Sequence, residues 1–283
     1  MNRPLYIMKL GGSVITDKGH PSGKLRFKRI KEIAKEIKRA QDKNDFDLIL
    51  VNGTGSYGHP VAQKYNTANG IKNKTQLRGF CEIKYVVNLL TTKFNKLFLA
   101  TGLNGFSCQT SSLIIQNRVK IFSFEIEPIK KLVHLGLIPM LSGDVTSDIS
   151  WGGSICSGDA IAPYLAGELK ATKLLFASDV DGIFDQDPHE NKNAKLISVI
   201  NKQNLPEFIS SIGNSSHLDV TGGMRGKFLS IRKYSHKKTK TIIFNGLRKN
   251  LLNLVVKRLT TYLISQKPRS WVLFLIPLAV LYF

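Results

Sequence analysis

The chain of 283 residues carries 41 Lys and Arg against 20 Asp and Glu, a formal charge of +21, and it is long enough to bury a full core without metal or disulfide staples. The cation excess suits an anionic partner such as a nucleotide or a phosphorylated metabolite, while lysine runs such as Lys237, Lys238 and Lys240 lack the interleaved aromatics of a base-stacking nucleic-acid platform. Three widely spaced cysteines, Cys81, Cys108 and Cys156, form no CxxC pair, which argues against a zinc or redox site and fits a reducing, cytoplasmic setting.

The N-terminus runs into a glycine turn too early for a signal peptide. Apolar runs of strand length then alternate with helix-period stretches, the pattern of an α/β sandwich on a mainly parallel sheet. Leu5–Leu10 reads as the first strand. Phe27, Ile30, Ala34 and Ile37 recur at helical spacing among Lys, Arg and Glu and predict an amphipathic covering helix. A buried strand at 48–51 and a long helix over 77–98 follow, then strand-like pieces near Phe106 and at 119–124, a helix at 129–135 and a strand at 138–141. A turn at Gly152 and Gly153 opens a second half, with a helix at 160–169, a strand at 173–177, a helix near 205–212, a strand at 241–244 and a closing helix over 251–264. No internal repeat or linker intervenes, so a single domain over 1–265 is expected, with lobes over about 1–150 and 151–265 and an apolar tail over 266–283. Within the tail, 271–283 is an unbroken apolar run of thirteen residues. As a helix it would reach about 20 Å, short of the ~30 Å hydrocarbon core, so a membrane span is not expected.

The glycine clusters fall just after strands, where open α/β sheets bind ligands. Lys9, Leu10, Gly11, Gly12 and Ser13 end the first strand; the glycines admit backbone N–H groups to phosphate oxygens and Lys9 adds a charge. Gly53 to Gly58 formally matches GxGxxG, but it follows the second strand and lacks a ribose-binding acid some twenty residues on, which argues against a dinucleotide fold. No GxxxxGK[ST] is present either, so the chain is not a P-loop nucleotidase.

Five stretches carry a resemblance in the same order as the family: KLGGSVITDK, NGTGSYGHPVA, SGDAIAPYLAGELKA, ASDVDGIF and DVTGGMRGK. They resemble the amino acid kinase superfamily, and the GHP and TGGMxxK runs are similar to its isopentenyl phosphate kinases. The resemblance covers about 5–246. It implies a three-layer αβα fold, ATP with Mg²⁺, and conversion of a prenyl monophosphate to its diphosphate by a homodimer, with an acceptor-side N-lobe and a nucleotide-side C-lobe. It also implies ATP-phosphate contacts at Lys9, Leu10, Gly11, Gly12, Ser13 and Gly55, and nucleotide-side contacts at Asp179, Gly223 and Lys227. Acceptor contacts are implied at Thr54, His59 and Gly158, with Lys18 steadying the transferred phosphoryl and Asp159 orienting the catalytic lysines. The family usually reads HGGG where this chain has Asn52, Gly53, Thr54 and Gly55, so a side chain stands at position 54 in place of bare backbone.

A phosphate acceptor is already an anion and needs no general base, so positioning and cationic charge are the main tasks. His59 could supply a charge-assisted hydrogen bond to such an acceptor. The remaining histidines fall at no metal-ligand spacing, and no protein metal site is expected. Competing readings are a phosphonate or other small-molecule kinase of the same superfamily, and a non-catalytic phosphometabolite-binding protein; membrane contact through the tail is disfavoured.

Overall fold

The computed structural model describes residues 3–17, 23–186, 188, 191–197, 199–200, 223–236, 238–249 and 279–281. The chain opens with β1 (Leu5–Leu10), α1 (Gly12–Ile15), a small ribbon of β2 (Thr16–Asp17) and β3 (Lys24–Leu25), α2 (Phe27–Lys43), β4 (Asp47–Asn52) and α3 (His59–Lys64). It continues through α4 (Lys74–Leu99), β5 (Gly105–Ser107), α5 (Thr110–Leu113), β6 (Ile114–Asn117), β7 (Lys120–Phe124), α6 (Glu127–His134), β8 (Ile138–Ser142) and β9 (Asp144–Asp148). Then come β10 (Gly152–Cys156), α7 (Gly158–Glu168), β11 (Lys173–Ser178), β12 (Ile183–Phe184), β13 (Leu196–Ile197) and β14 (Val199–Ile200). The last described elements are α8 (Gly223–Tyr234), β15 (Lys240–Asn245) and β16 (Ala279–Leu281). The helices expected near 205–212 and over 251–264 lie outside the described residues.

The main sheet has the order β14-β16-β15-β11-β1-β4-β8-β5, and the run from β15 to β5 is parallel throughout. Side chains alternate between its two faces. Tyr6, Met8 and Leu10 of β1, with Leu48 and Leu50 of β4, pack under α2 and α4. Leu5 and Ile7, with Ile49 and Val51, pack under α6, α7 and α8. Two separate apolar layers against one sheet make the three-layer αβα sandwich expected from the sequence. Because β1, β4, β8 and β11 all end on the same edge, the segments that follow them converge there, and that edge holds the site.

Three local expectations change. Gly152 and Gly153 do not form a turn but begin β10, which pairs antiparallel with β9; the reversal lies before them, where Asp148 accepts hydrogen bonds from the backbone N–H groups of Ser150 and Trp151. Phe27 starts α2 but stays about half exposed, while Ile30, Ala34 and Ile37 carry the buried stripe. A helix, α8, covers Gly223 to Tyr234, where the glycine-rich pattern of the sequence indicates no element.

Candidate active site

The face alternation of β1 decides where Lys9 points. Positions 5 and 7 face α7, so Lys9 does as well, and its Nζ donates to the Asp159 carboxylate at 2.9 Å across a nearly buried interface. Asp159 lies in the first turn of α7, behind the Ser157 N-cap whose hydroxyl accepts from the Asp159 N–H. Lys227, from α8, donates to the same Asp159 oxygen at 3.0 Å and stands 5.2 Å from the centre of the Phe176 ring. Three segments far apart in sequence thus place two ammonium groups on one carboxylate. Burial alone would raise the Asp159 carboxyl, but the charges of Lys227 and Lys9 and their hydrogen bonds overcome it and hold it well below the ordinary carboxylate range. Asp159 is therefore a fixed anion that aligns two cations.

The two glycine loops interlock beside this cluster. The Gly11 N–H donates to Ala177 at 2.8 Å and the Gly53 N–H to Leu10 at 2.9 Å, which ties each loop to the end of a neighbouring strand. A Cβ on Gly12 would lie 2.6 Å from the Gly55 backbone, so the loops touch main chain to main chain; Gly55 also adopts a left-handed φ of 48°, which favours glycine. Thr16, absent from the sequence-derived site, fastens the pair: its hydroxyl donates to Gly12 O and accepts from the Ser56 N–H. Among the described residues the N–H groups of Thr54 and Gly55 have no acceptor. Paired amides of this kind form an anion-binding concavity.

The remaining expected positions gather on the same edge. Ser13 lies in α1, partly exposed. The Thr54 side chain stands over Gly58, where an added Cβ would come 2.5 Å from its hydroxyl, and His59 opens α3 with its N–H donating to Gly55 at 3.2 Å. Gly158 begins α7 between the end of β4 and Lys9; a Cβ there would meet Val51 at 3.3 Å and Lys9 at 3.7 Å. Asp179 follows β11, Ser178 donating to it at 3.4 Å, and Gly223 opens α8. Lys18 lies outside the described residues. Asp181 has a structural role, accepting from Asn245 and Arg248 and pinning the turn after β15.

Next to the loops, Ala62 of α3, Ile83 and Val87 of α4 and Val145 of β9 form a small apolar cluster, with Phe80 and Ile155 packed against it. Beyond Val87, a cleft of about 270 Å³ is bordered by Asn88, Thr91, Ser142 and the Lys84–Asp144 ion pair.

The chain belongs to the amino acid kinase family, whose profile matches residues 4–245. It is 37% identical over 257 residues to the isopentenyl phosphate kinase of Methanocaldococcus jannaschii, covering 87% of this chain and 92% of that enzyme. It is 31% identical to the isopentenyl phosphate kinase of Methanothermobacter thermautotrophicus, over 86% and 91% of the two chains. Among solved structures, one described as isopentenyl phosphate kinase superposes with a TM-score of 0.75 at 26% identity, covering 89% of this chain and 95% of that one.

Proposed function

We propose that this protein transfers the γ-phosphoryl group of ATP to isopentenyl phosphate, giving isopentenyl diphosphate and ADP. The observation that carries the reading is the Lys9–Asp159–Lys227 cluster beside the two interlocked glycine loops. Two polyanions must approach each other during the transfer, and fixed cations held by a buried carboxylate lower that barrier without reorganising. Gly11, Gly12 and Ser13 face the donor phosphates in this reading, with Asp179 and Gly223 on the nucleotide side. Gly55 joins them on the donor side, Thr54, His59 and Gly158 hold the acceptor phosphate, and Lys9 and Lys227 bridge the two. Lys18 is assigned to the transferred group on motif resemblance.

The apolar cluster of Ala62, Ile83, Val87 and Val145 offers a short prenyl chain a wall beside the acceptor loop. An acceptor phosphate attacks as an anion, which accords with Asp159 being fully engaged by lysines and unavailable as a base. Mg²⁺ would neutralise and orient the ATP phosphates. A cytoplasmic setting is supported by the free thiols of Cys81, Cys108 and Cys156; among the described residues no helix is long and apolar enough to cross a membrane. A homodimer is supported by the open edge strand β5, where Phe106 is half exposed, and by exposed Tyr85, Leu89 and Leu99 on α4. Sedimentation as a monomer at assay concentration would remove that part of the reading.

The test of the acceptor is a coupled ADP-release assay on isopentenyl phosphate, dimethylallyl phosphate, geranyl phosphate, fosfomycin and glutamate. The highest kcat/KM is expected for isopentenyl phosphate. A preference for fosfomycin or glutamate would move the chain to another branch of the family, and no turnover with any of them would favour a binding protein.

A further inference from the structure

Asn52 ends β4 and is 1% exposed. Its even position puts it on the α4 side of the sheet, with Leu48 and Leu50. A directional chain of hydrogen bonds passes through it. Ser142 Oγ at the end of β8 donates to Asn52 Oδ1 at 3.1 Å, so in its 2.8 Å contact with Thr91 Oγ1 on α4 it is the acceptor, and the single Thr91 proton is shared between Ser142 and the Val87 carbonyl at 2.9 Å; Asn52 Nδ2 donates to the Gly53 carbonyl at 3.3 Å. The backbone reinforces the arrangement, because the Gly143 N–H donates to the Asn52 carbonyl at 2.8 Å and Thr110 Oγ1 to the Ser142 carbonyl at 2.7 Å.

A trans peptide is planar, with its C=O and N–H directed to opposite sides. Holding the Gly53 carbonyl toward Asn52 therefore directs the Thr54 N–H away from the α4 layer, and that N–H has no acceptor among the described residues. We propose that Asn52 is a positioning residue for acceptor binding: through the Gly53 carbonyl it aims the Thr54 N–H at the acceptor phosphate, with Ser142 and Thr91 anchoring it to α4. The inference rests on the proposed assignment of Thr54 to the acceptor. It also gives a role to the residue standing where the family usually has histidine, since an imidazole, like a carboxamide, presents a planar donor and acceptor. α4 supplies both the anchor Thr91 and the apolar residues Ile83 and Val87, so one helix sets both the phosphate loop and the tail wall.

The experiment compares wild type with Asn52→Ala, Ser142→Ala, the double variant and Asn52→His by calorimetry. Each protein is titrated with a non-hydrolysable ATP analogue and, with that analogue saturating, with isopentenyl phosphate and with inorganic phosphate. Asn52→Ala is expected to weaken both acceptor-side ligands by about tenfold or more, the scale of one lost or misaimed hydrogen bond to a charged group. Analogue affinity should stay within about twofold. Ser142→Ala should act in the same direction but less, the double variant should be no worse than Asn52→Ala because the anchor works through Asn52, and Asn52→His should recover part of the loss. Unchanged acceptor affinity in a folded Asn52→Ala protein, or equal weakening of acceptor and nucleotide, overturns the proposal. Should Asn52→Ala fail to fold, Ser142→Ala decides: it leaves Asn52 in place, and unchanged acceptor affinity would overturn the inference. If wild type binds phosphate through Asn52 but not isopentenyl phosphate, the assigned substrate fails while the positioning role stands.

Discussion

Asp159 accepts hydrogen bonds from two lysines at 2.9 and 3.0 Å, so removing its charge leaves two ammonium groups facing each other without a counterion. Asp159→Asn is expected to lower kcat severely and to cost about 3–5 kcal/mol of stability, the scale for breaking a buried ion pair on one side. A urea melt and single-turnover kinetics check both. The pH sign follows from the depressed carboxyl: its stabilising contribution is complete above the ordinary aspartate range and is lost only as pH falls through its much lower folded value. The wild-type rate should therefore show no acidic limb from Asp159 between pH 5 and pH 7.

In the proposed function His59 stands on the acceptor side. His59→Ala is expected to raise the acceptor KM by the equivalent of about 1.5–3 kcal/mol, the value of a charge-assisted hydrogen bond, with the ATP KM nearly unchanged. A matching rise in both KM values would remove it from the acceptor side. At this scale the motifs disclosed Lys9, Gly12, Gly55, Gly158, Asp159 and Lys227 as candidates. The resemblance implied that Asp159 orients the lysines, but not that Lys9 and Lys227 meet on one carboxylate oxygen, a detail set by tertiary packing. Thr16 and Ser142 were illegible for a similar reason: a lone hydroxyl is common, and its partner is defined by tertiary packing.

At the scale of elements, β1, β4, β8, β11 and β15 were readable because they are largely apolar on both faces, as buried parallel strands are. β6, β9 and β10 were not, since their inward positions include Gln116, Thr146, Asp148 and Ser154, which are buried but satisfy one another. A polar network of that kind erases the apolar alternation on which a strand reading depends. Lys173, at the start of β11, is a second buried polar group whose effect is testable. Burial, helped by the nearby charge of Lys240, lowers its ammonium to about 8, and its Nζ stands 4.5 Å from the Tyr6 ring centre. A lysine with a depressed folded pKa binds fewer protons than in the unfolded chain between that value and about 10.4, so its charged form disfavours folding below pH 8 and the penalty fades as pH rises. Lys173→Met should flatten the rise in stability between pH 8 and pH 10 relative to wild type in paired urea titrations. An identical pH slope in the two proteins would contradict this account.

For the whole molecule, an α/β sandwich on a mainly parallel sheet was legible from the alternation of strand and helix patterns and its three layers from the family resemblance, whereas the extent of the domain was not. Residues 279–281 form β16, antiparallel to β15 and parallel to β14, inside the span expected to be a separate tail; the rest of 266–283 lies outside the described residues. An apolar run with no period to read cannot distinguish a tail from an added strand. We infer that β16 completes the β15 side of the sheet. Truncation after residue 278 should then lower the melting temperature measurably while leaving the acceptor preference unchanged, whereas a wild-type melting curve would show 279–283 to be dispensable.

The central claim is that the lysine cluster beside the two interlocked glycine loops moves a phosphoryl group onto a prenyl monophosphate. Phosphorus NMR of the protein with ATP, Mg²⁺ and isopentenyl phosphate tests it most directly. The account predicts that the monophosphate resonance is replaced by the paired resonances of a diphosphate ester, in step with ADP, and that the conversion collapses in Lys227→Met. ADP accumulating while the monophosphate resonance persists would contradict it.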